Sequence, residues 1–248
     1  MIFKKLKDMK TKTEEIYEIG KEHQLSDEDL NTLTNNYDIN DIVIEIKLNE
    51  PQLDFIIKKC GDKVNWNWIS KFQPLSESFI EKYSDKVNWY WISQFQKLTK
   101  SFIEKHSDEV NWNCISQYTK LSESFIENHA NQVNWEMISQ YPKLSEGFIE
   151  RHKNKVNWKW ISQFQKLSEP FIEKHQDKVY WNFISKYQSL SEPFIEKYQD
   201  EVFWKHISKC KKLSEPFIEK HQDKVHWNLI GEHQNLSKEF REKYKDRF

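Results

Sequence analysis

The sequence predicts an all-α fold: a right-handed-type solenoid of short two-helix repeats of about 23 residues each, with helical caps at both ends. Three observations predict it. Leu75, Leu98, Leu121, Leu144, Leu167, Leu190, Leu213 and Leu236 recur at one constant interval, and Trp66, Trp89, Trp112, Trp135, Trp158, Trp181, Trp204 and Trp227 keep the same interval. A fixed period of roughly 20 to 50 residues marks units that bury their apolar faces only against their neighbours. Within each period, two apolar clusters at helical spacing each follow a helix-capping residue. Aromatic residues reach 15% while all hydrophobic residues total only 37%, so the core is built from a few large rings.

Taken in order, residues 1–24 read as a leading helix with Phe3, Leu6, Met9, Ile16 and Ile19 on its apolar side. Residues 25–74 hold two divergent repeats. Leu25, Ser26, Leu30, Asp38, Ile39 and Ile42 fill the staple, cap and core slots of the first, and Leu48 opens the second with about four extra residues before Ile56 and Ile57. Residues 75–235 are seven regular repeats, which makes nine two-helix units in all. Residues 236–248 supply a C-terminal half-repeat, where Arg241 replaces an apolar Ile as suits an exposed cap.

The unit LSESFIEKYSDKVNWYWISQFQK, Leu75 to Lys97, shows the local logic. Ser76 is the N-cap of the first helix, with Leu75 and Ile80 as its hydrophobic staple. That helix runs from about Glu77 to Ser84 with Phe79, Ile80 and Tyr83 inward and Glu77, Glu81 and Lys82 outward. Pro170, Pro193 and Pro216 fall in its first turn in later repeats, where the missing N–H costs nothing. Asn88 caps the second helix, Trp89 to about Gln96, whose apolar arc is expected to hold Trp89, Trp91, Ile92 and Phe95. Helices this short are marginal in isolation, below the roughly 12 to 15 residues needed in water, so stacking must stabilise them.

The motif L-S-E-x-F-I-E-K-[HY]-x-D-x-V-N-W-x-x-I-S-x-[FY]-Q-K, carried for example by LSEPFIEKHQDKV at Leu167 to Val179 and VNWKWISQFQK at Val156 to Lys166, resembles a short helical repeat found in proteins of giant DNA viruses. The resemblance implies a viral protein of AT-rich coding origin, acting in the cytoplasm of the host cell. It brings no catalytic residues with it.

Composition narrows the function classes. With 38 basic and 39 acidic side chains the net charge is -1, which gives no global attraction to nucleic acid or anionic lipid. No apolar run approaches the roughly 18 residues of a membrane span. No hydrophobic signal core is present either, so secretion is not expected. Cys60, Cys114 and Cys210 are irregularly spaced, form no CxxC pair and stand in slots that other repeats fill with core residues. They read as small buried hydrophobes in a reducing compartment. His206 and Cys210 at i, i+4 with His233 one repeat on suggest a zinc ligand set, but all three occupy core slots and a fourth ligand is missing. No metal or cofactor is expected. The chain has no phosphate-binding glycine loop, catalytic triad order or HExxH motif, so no enzymatic activity is expected.

Surfaces therefore carry the functional argument. The recurring tryptophans read as core, and the Tyr/His slot (Tyr83, His106, His129, His152, His175, Tyr198, His221, Tyr244) reads as half-buried rings with a polar tip. Glu81 and its equivalents form an acidic row that is either a solvated, charge-balanced face or a dock for a basic segment. The outward i, i+4 pairs of the second helices include Lys159 with Gln163, Asn182 with Lys186 and Lys205 with Lys209. Pairs so placed suit a protein partner or, alternatively, single-stranded RNA read one base per repeat. Three consecutive repeats replace the capping Asn by Tyr180, Phe203 and His226, with Asp177, Asp200 or Asp223 as substitute caps. Exposed rings in successive units make a natural hot-spot row. The expectation is a non-enzymatic scaffold that binds a protein or peptide through Tyr180, Phe203, His226, Lys159, Lys186, Lys205 and Lys209, with single-stranded RNA as the alternative partner.

Overall fold

The computed structural model describes residues 12–22 and 25–248. Among these residues every regular element is helical and no strand occurs. The chain divides into two compact units, Met1–Thr119 and Lys120–Phe248.

In the first unit, α1 (Lys12–Glu22) buries Ile16 and Ile19. Phe3, Leu6 and Met9 of the expected leading helix lie outside the described residues. The Tyr37 hydroxyl donates to Glu15 of α1 at 2.8 Å, and burial together with that carboxylate pushes the phenol up to about 12. The first hairpin is α2 (Asp27–Asn36) and α3 (Ile39–Glu45), entered through a capping box between Ser26 and Asp29. The second is α4 (Glu50–Cys60) and α5 (Trp66–Phe72), and the additional residues seen in the sequence lengthen α4 to 11 residues. Gly61 ends it at φ 51°, a conformation open to glycine and strained for other residues. Two regular hairpins follow, α6 (Glu77–Lys82) with α7 (Trp89–Phe95) and α8 (Lys100–Lys105) with α9 (Trp112–Tyr118).

The second unit repeats the regular hairpin: α10 (Glu123–Asn128) with α11 (Trp135–Gln140), α12 (Glu146–Arg151) with α13 (Trp158–Phe164), α14 (Glu169–Lys174) with α15 (Trp181–Tyr187), α16 (Glu192–Lys197) with α17 (Trp204–Cys210), and α18 (Glu215–Lys220) with α19 (Trp227–His233). A last helix, α20 (Lys238–Lys243), and a 3₁₀ turn at Lys245–Arg247 close the chain. Arg241 is exposed there and donates to the Gly231 carbonyl at 3.2 Å. Gly231 stands where other repeats carry Ser because a Cβ would meet the Phe248 ring at 2.8 Å.

Within each unit the second helix of one hairpin lies against the second helix of the next. One set of bonds recurs along the stack, its glutamine member replaced at Thr119, Pro142 and Lys211. Trp181 donates its indole N–H to the Gln176 carbonyl at 3.2 Å, and its ring packs 6.3 Å from Phe194 and 5.0 Å from Tyr198 of the following hairpin. The hydroxyl of buried Ser162 donates to the Trp158 carbonyl at 2.7 Å and accepts the Tyr180 N–H at 3.0 Å. Buried Gln188 reaches back one repeat: its amide donates to the carbonyls of Ser162 and Gln165 at 2.9 and 2.8 Å and accepts the Leu167 N–H at 3.0 Å. Glu146 accepts both the N–H and the hydroxyl of Ser168, the next N-cap, at 2.6 and 3.1 Å. Each bond contributes about 1 kcal/mol net, and an orphaned buried partner costs about 1 to 3 kcal/mol. Sequence spacing and local composition are thereby tied directly to inter-repeat stability.

Several expectations are corrected. Glu77, placed outward by the helical wheel, bonds the N–H and hydroxyl of the Thr99 cap and is half-buried. Phe95 does not join the buried arc: it is 48% exposed, and Tyr118, Tyr141, Phe164 and Tyr187 in the same slot are similarly exposed. After Phe95, Phe164 and Tyr187 the next residue, Gln96, Gln165 or Gln188, turns its amide into the stack and takes the inward direction, whereas Thr119 and Pro142 follow Tyr118 and Tyr141. Cys210 and His233 share that slot and are exposed, while Cys60 is half-buried and only Cys114 is buried. In the Tyr/His slot, Tyr83, His129, His152 and Tyr244 are half-buried as expected, while His106, His175, Tyr198 and His221 are buried, each clamped between a Trp and a Phe.

Candidate partner-binding face

The first helices are charge-paired, whereas the second helices α13, α15 and α17 carry unopposed positive charge. On the first helices, the basic residue in the last turn reaches a carboxylate one repeat back: Lys82 to Asp54, Lys105 to Glu81, Arg151 to Glu127, Lys174 to Glu150, Lys197 to Glu173, Lys220 to Glu196 and Lys243 to Glu219. The acidic row is therefore internally neutralised. Glu150 is the extreme case: hydrogen bonds from Lys153 and Lys174, then from His175, hold its carboxyl down to about 2. A dock for a basic partner would have to displace these pairs.

The second helices differ. Lys159, Lys186, Lys205 and Lys209 are exposed, and among the described residues no carboxylate pairs with any of them. Helices α13, α15 and α17 contain no acidic residue at all. Lys159 lies 4.9 Å over the Trp160 ring and Lys186 4.8 Å over Tyr187, so aromatic faces hold the ammonium groups in place of counter-charges. Half-buried His206 sits inside this cluster. Its imidazole is pushed down first by burial, then by Lys186, Lys205, Lys211 and Lys209 around it. Carboxylates close the strip at both ends: Glu136 on α11, which accepts the Trp160 indole N–H at 3.2 Å, and Glu232 on α19.

Tyr180, Phe203 and His226 stand at the N-caps of α15, α17 and α19, three consecutive second helices in contact. All three are exposed, Tyr180 at 50% and Phe203 at 47%. None makes a side-chain cap, and the anticipated substitution by Asp177, Asp200 or Asp223 does not occur. Their backbone N–H groups still donate to Ser162, Ser185 and Ser208 at 3.0, 2.9 and 3.0 Å. The position is thus held by the backbone, and its side chain is free to be a ring. Sequence reading missed the second exposed row, Phe164 and Tyr187 at the helix ends, which adds aromatic surface beside the lysines. The signal available was the occurrence of Cys210 and His233 in that slot, residues a dry core would not favour together.

His206, Cys210 and His233 do not form a metal centre: among the described residues no group of three or more His, Cys, Asp or Glu is arranged to hold an ion. No described helix is long and apolar enough to cross a membrane. No protein family, curated protein or solved structure matches the chain.

Proposed function

We propose that this chain is a non-enzymatic helical-repeat scaffold that binds a protein partner, seating an acidic, extended segment on the outward face of α13, α15 and α17. The observation that carries the reading is the charge asymmetry. First-helix lysines are neutralised one repeat back, whereas Lys159, Lys186, Lys205 and Lys209 stand without a carboxylate partner, Lys159 over the half-buried Trp160 ring and Lys186 over the exposed Tyr187 ring. Electrostatic complementarity steers and registers such a segment, and Tyr180, Phe203 and His226 supply the hot-spot surface. An extended chain rising about 3.1 Å per residue advances one repeat every three residues, since packed helices lie about 8 to 10 Å apart. The segment accordingly places every third side chain against an equivalent ring. The likeness of the repeat motif to proteins of giant DNA viruses supports a setting in the cytoplasm of an infected cell.

Single-stranded RNA is the second reading, favoured by the juxtaposition of rings and lysines. Two features weigh against it. The face has no arginine, and Glu136 and Glu232 limit the unopposed positive strip to three repeats, too short for a continuous polyanion. Selection of a random peptide library on the whole chain tests the reading. Enrichment of peptides rich in Asp and Glu with interspersed apolar residues is expected, whereas no enrichment would reject it. Random single-stranded RNA is expected to bind no more tightly than about 10⁻⁴ to 10⁻⁶ M at physiological salt.

A further inference from the structure

We propose that the groove between the C-terminal ends of α5 and α7, in the first unit, binds an aromatic phosphomonoester. This site is separate from the face described above and is carried by different residues. The groove is a cavity of about 660 Å³, within the roughly 300 to 1,000 Å³ of small-molecule sites. Lys47, Lys71 and Lys97, from three successive repeats, line it together with the rings of Phe72 and Phe95, and no Asp or Glu does.

Lys47 Nζ lies 6.0 Å and Lys71 Nζ 5.1 Å from the centroid of the same Phe72 ring, so the two ammonium groups share one aromatic neighbour. Lys47 is spent on the Phe72 carbonyl and Lys71 on ring faces, Trp91 at 4.6 Å and Phe95 at 5.9 Å. Among the described residues neither meets a carboxylate, in a protein whose first-helix Lys82, Lys105 and Lys197 each do. Like charges gathered around one ring, on the scale of the Debye length of about 8 Å at physiological ionic strength, repel one another unless an anion joins them. A phosphate with a charge of about -1.5 to -2 matches three lysines better than a single carboxylate does. Phe95, half exposed at the rim, offers a face for the ligand's ring. Lys71 also lines an adjoining cavity of about 330 Å³ bounded by Trp68 and Trp91, likewise without a carboxylate, which extends the apolar wall.

The test is titration of phenyl phosphate into the full chain, followed by amide chemical shifts of Phe72, Gln73, Phe95 and Gln96. Saturable shifts confined to this region are expected, with inorganic phosphate and phenol each at least about tenfold weaker. Lys71→Gln and Lys97→Gln should each weaken binding about tenfold or more while circular dichroism stays unchanged. Lys47 is left intact because it holds the Phe72 carbonyl. A short peptide carrying phosphotyrosine that binds more tightly than phenyl phosphate would assign the ligand to a modified partner chain, and weaker binding would assign it to a free metabolite. Absence of saturation, shifts elsewhere, inorganic phosphate equal to phenyl phosphate, or variants that bind as the parent would overturn the proposal.

Discussion

Replacing Lys211 by Gln is expected to stabilise the second unit. Lys211 occupies the slot that Gln165, Gln188 and Gln234 fill elsewhere, and it is only 8% exposed. Its ammonium imitates half of the glutamine lock: it donates to the Gln188 carbonyl and, at 3.4 Å, to that of Lys186. An ammonium has no acceptor. The N–H of Leu190, whose equivalents Leu144, Leu167 and Leu213 donate to a glutamine oxygen at 3.0 Å, is therefore left unserved. Restoring the amide returns one backbone hydrogen bond, about 1 kcal/mol, and removes a buried charge, for about 1 to 3 kcal/mol in total. At about 2 kcal/mol the midpoint of thermal unfolding should rise by about 4 to 8 °C. The pH dependence has a definite sign. Burial pushes the Lys211 ammonium below its ordinary 10.5, so the unfolded chain binds more protons in that window and parental stability climbs as pH rises toward 10.5. The variant should lose that slope. Urea unfolding read by tryptophan fluorescence gives the stability, and hydrogen exchange gives the site: the Leu190 amide should become protected. A destabilised variant, or a Leu190 amide that exchanges as before, would refute the glutamine lock as the origin of inter-repeat stability.

Ser185→Ala should cost about 1 to 3 kcal/mol, because the Phe203 N–H then loses its acceptor at 2.9 Å; denaturant titration measures it. Glu150→Gln should flatten the acid limb of the stability profile. The parental carboxyl is held down to about 2, so its contribution is complete above the ordinary value of 4.5 and disappears as pH falls from there toward 2. Acid titration followed by circular dichroism reads the difference. Restoring the caps with Tyr180→Asn, Phe203→Asn and His226→Asn should raise stability by about 0.5 to 2 kcal/mol per cap, since Asn88, Asn134 and Asn157 show the bonds that return. The same variant should weaken partner binding at least about thirtyfold if the rings are hot spots. A large loss of thermal stability instead would show that the rings are packing.

Most of the fold was legible because each slot announces itself by residue type: Ser76 before an apolar run, Asn88 before Trp89, Leu and Trp at a constant interval. What spacing does not encode is which polar residues the stack consumes. Ser162, Gln188 and Glu146 read as ordinary hydrophilic positions on a helical wheel, yet all three bond across repeats, because a neighbouring hairpin offers backbone groups that no single-helix pattern contains. The same blindness placed Phe95 and Cys210 inside. For the candidate face, the exchange of Asn for Tyr180, Phe203 and His226 was visible as a break in the repeat. That Lys159 and Lys186 lack counter-charges while Lys174 and Lys197 have them was not, since pairing from one repeat to the next emerges only when hairpins are stacked.

The measurement that bears most directly on the acidic-partner reading is the affinity of a labelled Asp- and Glu-rich peptide, recovered by selection, for the parent chain and for the variant Lys159→Glu, Lys186→Glu, Lys205→Glu, Lys209→Glu. The parent is predicted to bind with an affinity that falls as salt is raised, and the variant to bind at least about tenfold more weakly with its helical spectrum intact. Undiminished binding by the variant, or a single-stranded oligonucleotide that outcompetes the peptide on the parent, would contradict it.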